Sequence, residues 1–149
     1  MAVVSPSHPQ KVPATGMPFL FAWLVATAAT LGALFVGEVM GQAPCNLCWY
    51  QRIAMFPLAI LLGIAAYRGD VAARIYALPL AVAGLCIAGF HSLLYAGVIP
   101  EAIEPCGAGP SCASADMTIF GGLPLPFLSL GAFAAITLLL VFSRKAPSS

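Results

Sequence analysis

The sequence predicts an all-α integral membrane protein, a four-transmembrane-helix bundle with both termini cytoplasmic. Three observations carry that prediction: composition, four long apolar runs, and the placement of basic residues. Of 149 residues, 61% are hydrophobic and only 7% charged, whereas a soluble globular domain carries roughly a quarter charged residues. Mean hydropathy is +0.98. The length fits one domain on a soft prior of about 150 residues. The formal net charge is +1 with no basic block, so nucleic acid is not an expected partner. The same composition excludes disordered, collagen-like and small secreted disulfide-rich classes.

The four runs approach or reach the roughly 20 helical residues that cross a bilayer core. The first extends from about Met17 to Val36. A signal peptide is the alternative there, since Gly41-Gln42-Ala43 loosely resembles a cleavage site. However, the run exceeds the roughly 7–15 residues of a signal core, and Glu38 intervenes, which favours a retained helix. The second span runs from about Trp49 to Tyr67, the third from about Ile75 to Val98, and the fourth from about Pro124 to Phe142. Pro57 and Pro79 fall inside the second and third, where membrane helices tolerate proline if neighbours satisfy the freed backbone groups. Residues 1–16 read as a disordered cytoplasmic tail and 143–149 as a short second tail.

Alternating helices put Lys11, Arg68, Arg74, Arg144 and Lys145 on one side, five of the six basic residues. Glu38, Glu101, Glu104 and Asp116 lie on the other, with Arg52. Cytoplasmic loops carry the Lys/Arg excess, so the two remaining loops face outward. They hold four of the five cysteines.

Cys45 and Cys48 form a C-x-x-C in PCNLCWYQR, where the second helix begins, and Cys106 and Cys112 sit in EPCGAGPSC. Outside the cytoplasm either pair is free to oxidise. A Cys106–Cys112 staple would close a short loop worth roughly 2 kcal/mol. The C-x-x-C carries more local chemistry. Pro44 and Asn46 suit a helix start, which places both sulfurs near the positive end of the helix dipole. Cys48 and Arg52, four apart, share a helical face, and a guanidinium there favours a thiolate. Zinc or copper binding, or a second staple, remain alternative uses of the pair.

Ile53 to Tyr67 makes only about 22 Å of helix, so the span must start near Trp49 and Arg52 lies about one turn inside it. It either snorkels to the headgroups or serves as a functional cation for an anionic ligand oxygen. His91, in GFHSLLYAG, occupies a similar depth, and packing and ligand contact are equally open for it. Cys86 sits some 15 Å below the outer surface and reads as a small buried apolar residue. Gly84 and Ala88 are spaced for close helix contact. The segment from Ile99 to Gly122 reads as a long loop without structure of its own, which suits a cysteine pair that must meet partners.

At CNLCWYQR the resemblance becomes specific. The chain resembles the disulfide bond formation protein B (DsbB) family of bacterial inner-membrane oxidases. The match rests on the C-x-x-C entering a second helix, Tyr50-Gln51-Arg52, Pro57, the second outer pair, and LPLPFLSLGAF entering the fourth helix. The resemblance implies an enzyme that reoxidises a thioredoxin-like dithiol oxidase, DsbA, and passes the electrons to a membrane quinone, ubiquinone or menaquinone. It implies that Cys106 meets the partner's thiolate, that Cys112 exchanges with Cys45, and that Cys48 is the thiolate beside the quinone. Arg52 would polarise a quinone oxygen, with His91 a further quinone contact. The best-known members separate the second cysteine pair widely, with an amphipathic helix between. Here five residues separate Cys106 from Cys112, as in a short-loop subgroup.

Two readings from other classes compete. A four-thiolate metal site of Cys45, Cys48, Cys106 and Cys112 would suit zinc or Cu(I), but the spans offer few polar groups for transport. A structural subunit with two stapled loops would show no turnover. A membrane reductase of the vitamin K epoxide reductase type usually carries its C-x-x-C late in the chain, and no cysteine lies in the expected cytoplasmic segments.

Overall fold

The computed structural model describes residues 16–100, 110–113 and 118–143. Cys106, both expected tails apart from Gly16 and Ser143, and the charged residues Lys11, Glu101, Glu104, Asp116, Arg144 and Lys145 lie outside the described residues. Four helices form the body: α1 (Met17–Leu34), α2 (Asn46–Arg68), α3 (Arg74–Tyr95) and α4 (Leu125–Phe142). All four are long and apolar enough to cross a membrane. Each packs on its neighbours in cyclic order, α1 on α2, α2 on α3, α3 on α4 and α4 on α1. The predicted four-helix membrane bundle is therefore what the chain forms.

The interior mixes large side chains, among them Leu58, Leu62, Phe133, Ile136 and Leu140, with many small ones. Ala22, Ala26, Ala54, Ala65, Ala77, Ala81 and Ala88 are buried, while Leu31, Ile60, Ile75 and Leu138 point outward. Lipid is as apolar as leucine, so hydrophobicity alone does not sort bulky aliphatic residues inward, and small ones let the helices approach closely where they meet. At Gly84 a Cβ would overlap the Phe133 ring, so α3 and α4 meet where α3 has no side chain. Gly84→Leu is expected to cost about 1–3 kcal/mol by overpacking, read as a lower thermal unfolding temperature in detergent.

Helix boundaries differ from the expected ones for identifiable reasons. α1 does not stop at Val36 but continues through a π turn, Phe35–Val39, closed by Met40 N–H donating to the Phe35 carbonyl at 3.0 Å. α2 begins three residues before Trp49, because Cys45 adopts the extended cap conformation and its sulfur accepts from the Cys48 N–H at 3.4 Å. Both internal prolines are accommodated, Pro57 within α2 and Pro79 within α3. α3 ends at Tyr95, short of Val98, in a Schellman motif. Gly97 takes φ 74°, its N–H donates to the Leu94 carbonyl, and Val98 N–H donates to Leu93.

Two expectations are corrected. Cys86 is exposed on the outside of the bundle, not buried. Gly84, Ala88 and His91 form the inward stripe of α3, and Cys86 lies two residues from Gly84 and Ala88, roughly 200° around the helix. The second outer segment is not wholly irregular: β1 (Thr118–Ile119) pairs antiparallel with β2 (Leu123–Pro124). The hairpin turns through Phe120 and Gly121, both at positive φ. Gln42 Nε2 donates to the Thr118 carbonyl at 3.4 Å, tying the hairpin to the end of α1.

Candidate functional site

The C-x-x-C, the π turn, the end of α3 and the hairpin gather at one end of the bundle. Cys45 is fully buried as the cap of α2, and Cys48 sits one turn on, half-buried. The Cys45 thiol donates to the Cys48 sulfur at 3.2 Å. That bond, together with burial, pushes Cys45 up to about 12, against weaker opposing contacts from His91 and Cys112. The proton is thereby held on Cys45. Reduced Cys45 is expected to alkylate far more slowly than an ordinary thiol at neutral pH, since only the thiolate reacts. The rate should climb about tenfold per pH unit until the pH passes that raised value. Peptide mapping after iodoacetamide treatment at several pH values checks this.

Cys112 is also fully buried and packs in one cluster with Cys45, Leu47 and Leu94, and its side chain hydrogen-bonds Cys45. The sequence placed these cysteines in separate outer loops; the fold brings them into contact. His91 joins them. It is 1% exposed, with Nε2 3.9 Å from the Cys45 sulfur and 3.2 Å from the Cys112 carbonyl oxygen. Its Nδ1 lies 3.0 Å from Gln51 Nε2. A carbonyl only accepts, so Nε2 carries the hydrogen and Nδ1 accepts from the Gln51 amide.

Arg52 turns toward the bundle. Its Nη2 donates to the Ala33 carbonyl at 2.7 Å, and the guanidinium lies over the Trp49 ring, 5.4 Å from the centroid. It fits because residue 37 is glycine: a Cβ there would stand 2.9 Å from Nη2. Below these groups opens a cavity of about 530 Å³. Cys48, Gln51, Arg52 and His91 form its polar end, while Val25, Ala29, Met55, Leu128 and Phe133 supply apolar wall. A volume of this size suits a small-molecule ligand with an apolar body and one polar end.

Cys45, Cys48, Arg52, His91 and Cys112 are thus brought together; Cys106 lies outside the described residues. Gln51 was missed as a site residue, although an amide within an otherwise apolar span was a usable signal. Gly37 and the π turn carried no signal of that kind. The ligand atoms of Cys45, Cys48 and His91 lie within 4.8 Å of one another, a spacing compatible with a soft metal. A metal takes a bare imidazole nitrogen. In this arrangement Nε2 carries a hydrogen toward Cys112, and the Nδ1 lone pair is held by Gln51. The four-thiolate arrangement further requires Cys106.

The profile of the family described as "Disulfide bond formation protein DsbB" matches residues 16–143. The chain is 55% identical to a "Probable disulfide formation protein" of Metapseudomonas resinovorans, over 93% of this chain and 96% of that one. It is 43% identical to "Disulfide bond formation protein C" of Bacillus subtilis (strain 168), over 79% and 86% of the two chains. A "Probable disulfide formation protein" of Deinococcus radiodurans is 44% identical, over 83% and 86%. No solved structure matches the chain significantly. With nearly the whole apolar body matched, the chain belongs to the DsbB family and is a disulfide-forming membrane oxidoreductase.

Proposed function

We propose that the protein is a dithiol:quinone oxidoreductase that reoxidises a DsbA-like, thioredoxin-fold dithiol oxidase. Its setting is the bacterial cytoplasmic (inner) membrane, with both termini cytoplasmic and the cysteine end facing the periplasm or cell exterior. Arg68 and Arg74 at the opposite end favour that orientation. One observation carries the reading: Cys48 and Arg52 stand together at the polar end of an apolar cavity, with Cys45 and Cys112 in contact immediately above.

The partner's dithiol reduces a Cys106–Cys112 disulfide through a mixed disulfide at Cys106, leaving the partner oxidised and both thiols free. The Cys112 thiolate then attacks Cys45 of a Cys45–Cys48 disulfide, and Cys48 leaves as thiolate. Cys106 attacks Cys112 in turn, restoring the outer disulfide and releasing Cys45, which takes up a proton. Two electrons and one proton now reside on the pair, Cys48 as thiolate and Cys45 as the thiol held by its bond to Cys48, while the second proton of the partner's dithiol has gone to the solvent.

A quinone, ubiquinone or menaquinone, fits the cavity: an apolar ring and tail would lie among the aliphatic walls, with a carbonyl oxygen toward the donors at the polar end. The chemistry that a bound quinone supplies is uptake of two electrons and two protons. Arg52 would hold and polarise the oxygen nearest Cys48, its other side anchored on Ala33. The apolar walls exclude water, which strengthens that interaction.

The test is quinone consumption by the purified protein with a reduced thioredoxin-fold dithiol protein. The expected result is one quinone reduced per dithiol oxidised. No consumption with either quinone type, alongside about one tightly bound metal per chain, would overturn the reading in favour of a metal site.

A further inference from the structure

The contacts of His91 do not match those of a residue whose first task is to touch a quinone. Although the ring borders the cavity, both its nitrogens are engaged by protein groups: Nδ1 with Gln51 of α2, and Nε2, 3.9 Å from the Cys45 sulfur, with the backbone carbonyl of Cys112. The ring is buried and bridges three pieces of chain, α2, α3 and the second outer segment. Buried hydrogen bonds of this kind fix geometry, because breaking one leaves an unsatisfied polar group.

We propose that Gln51 and His91 form a latch that holds the Cys112 segment over the first turn of α2, and that both are positioning residues for exchange between the two cysteine pairs. Gln51 acts by fixing the tautomer. Its amide N–H occupies the Nδ1 lone pair, which leaves the hydrogen on Nε2 to grip the Cys112 carbonyl. The grip is on backbone, so it holds the segment while leaving the Cys112 sulfur to react with Cys45. The inference deepens the proposed function and rests on its assignment of exchange between Cys112 and Cys45.

The experiment reads how well these bonds hold Cys112 against Cys45. In a Cys48→Ser, Cys86→Ser, Cys106→Ser background, Cys45 and Cys112 are the only thiols. Diamide then oxidises the pair: each thiol gives up a proton, two electrons pass to the azo bond, and one disulfide forms. Its rate of appearance is followed in membranes by non-reducing peptide mapping. His91→Leu is expected to slow it by about tenfold, the loss of a buried hydrogen bond. His91→Gln, whose amide N–H reaches the same carbonyl, should restore it to within about twofold. Gln51→Leu should also slow it, and it carries the test if leucine at 91 prevents folding. Equal rates with histidine and leucine, or no advantage of glutamine over leucine, would overturn the latch. The assay contains no quinone, so failure of quinone reduction in the parent protein counts against the proposed function and not against the latch.

Discussion

Cys48→Ser is expected to insert and fold normally yet to reduce quinone at least about a thousandfold more slowly than the parent, as when a nucleophile is deleted. Serine keeps the backbone N–H that Cys45 caps and nearly the same volume, so the helix start survives. What disappears is the sulfur beside the cavity. The same variant should accumulate a Cys45–Cys112 disulfide, formed as the Cys45 thiolate attacks Cys112 of the Cys106–Cys112 disulfide and Cys106 leaves as thiolate, because Cys45 touches Cys112 and Cys48 is no longer there to displace Cys112 from Cys45. Quinone turnover and non-reducing peptide mapping of one preparation read both effects. Turnover near that of the parent would remove Cys48 from the electron path and with it the role proposed for the cavity.

Arg52→Met should lower kcat/KM for quinone by about a hundredfold, the usual loss when a preorganised donor to a developing negative charge is removed. Thiol exchange with the partner, measured in a single turnover without quinone, should change far less. Arg52→Lys should recover only part of the loss, since a single ammonium replaces a planar fork that grips Ala33 while facing the cavity. Gly37→Val offers an independent check. The side chain it adds competes for the space of Nη2, so it should reproduce the quinone defect with Arg52 still in place. Equal loss of thiol exchange and quinone reduction in Arg52→Met would assign the arginine to folding.

The spans were legible because length and apolarity suffice to mark them; their inner faces were not. In a soluble helix the buried side is the apolar side, but here every side is apolar. Inward and outward residues of α3 differ in size: Gly84 and Ala88 point in, while Ile75 and Val82 point out. Polarity says nothing about Cys86, which is why its burial was misjudged. The C-x-x-C and Arg52 were readable from spacing alone, since i and i+4 on one helix share a face whatever surrounds it. The meeting of Gln51 with His91, and of both with Cys112, depends on how α2 and α3 are rotated against each other. That rotation is set by side-chain packing over their whole length, large residues of α2 such as Leu58 and Leu62 against small ones of α3, and no local pattern encodes it.

The π turn at Phe35–Val39 has a consequence best put in terms of insertions and deletions. A π turn holds one residue more than the α-helix it interrupts. Deleting one residue within it would restore ordinary helical bonding, and the remaining run would still be apolar and long enough to enter a bilayer. The chain beyond would stay nearly in place, because the wide turn already absorbs the extra residue, whereas residues between the deletion and the end of the turn would shift by about one position, roughly 100°. With the deletion at Phe35, Val36 or Gly37, the glycine that admits the guanidinium would be lost or leave its place beside Arg52. Membrane insertion and electron transfer would then come apart in a single codon: a chain that integrates as before, with its arginine displaced from the cavity.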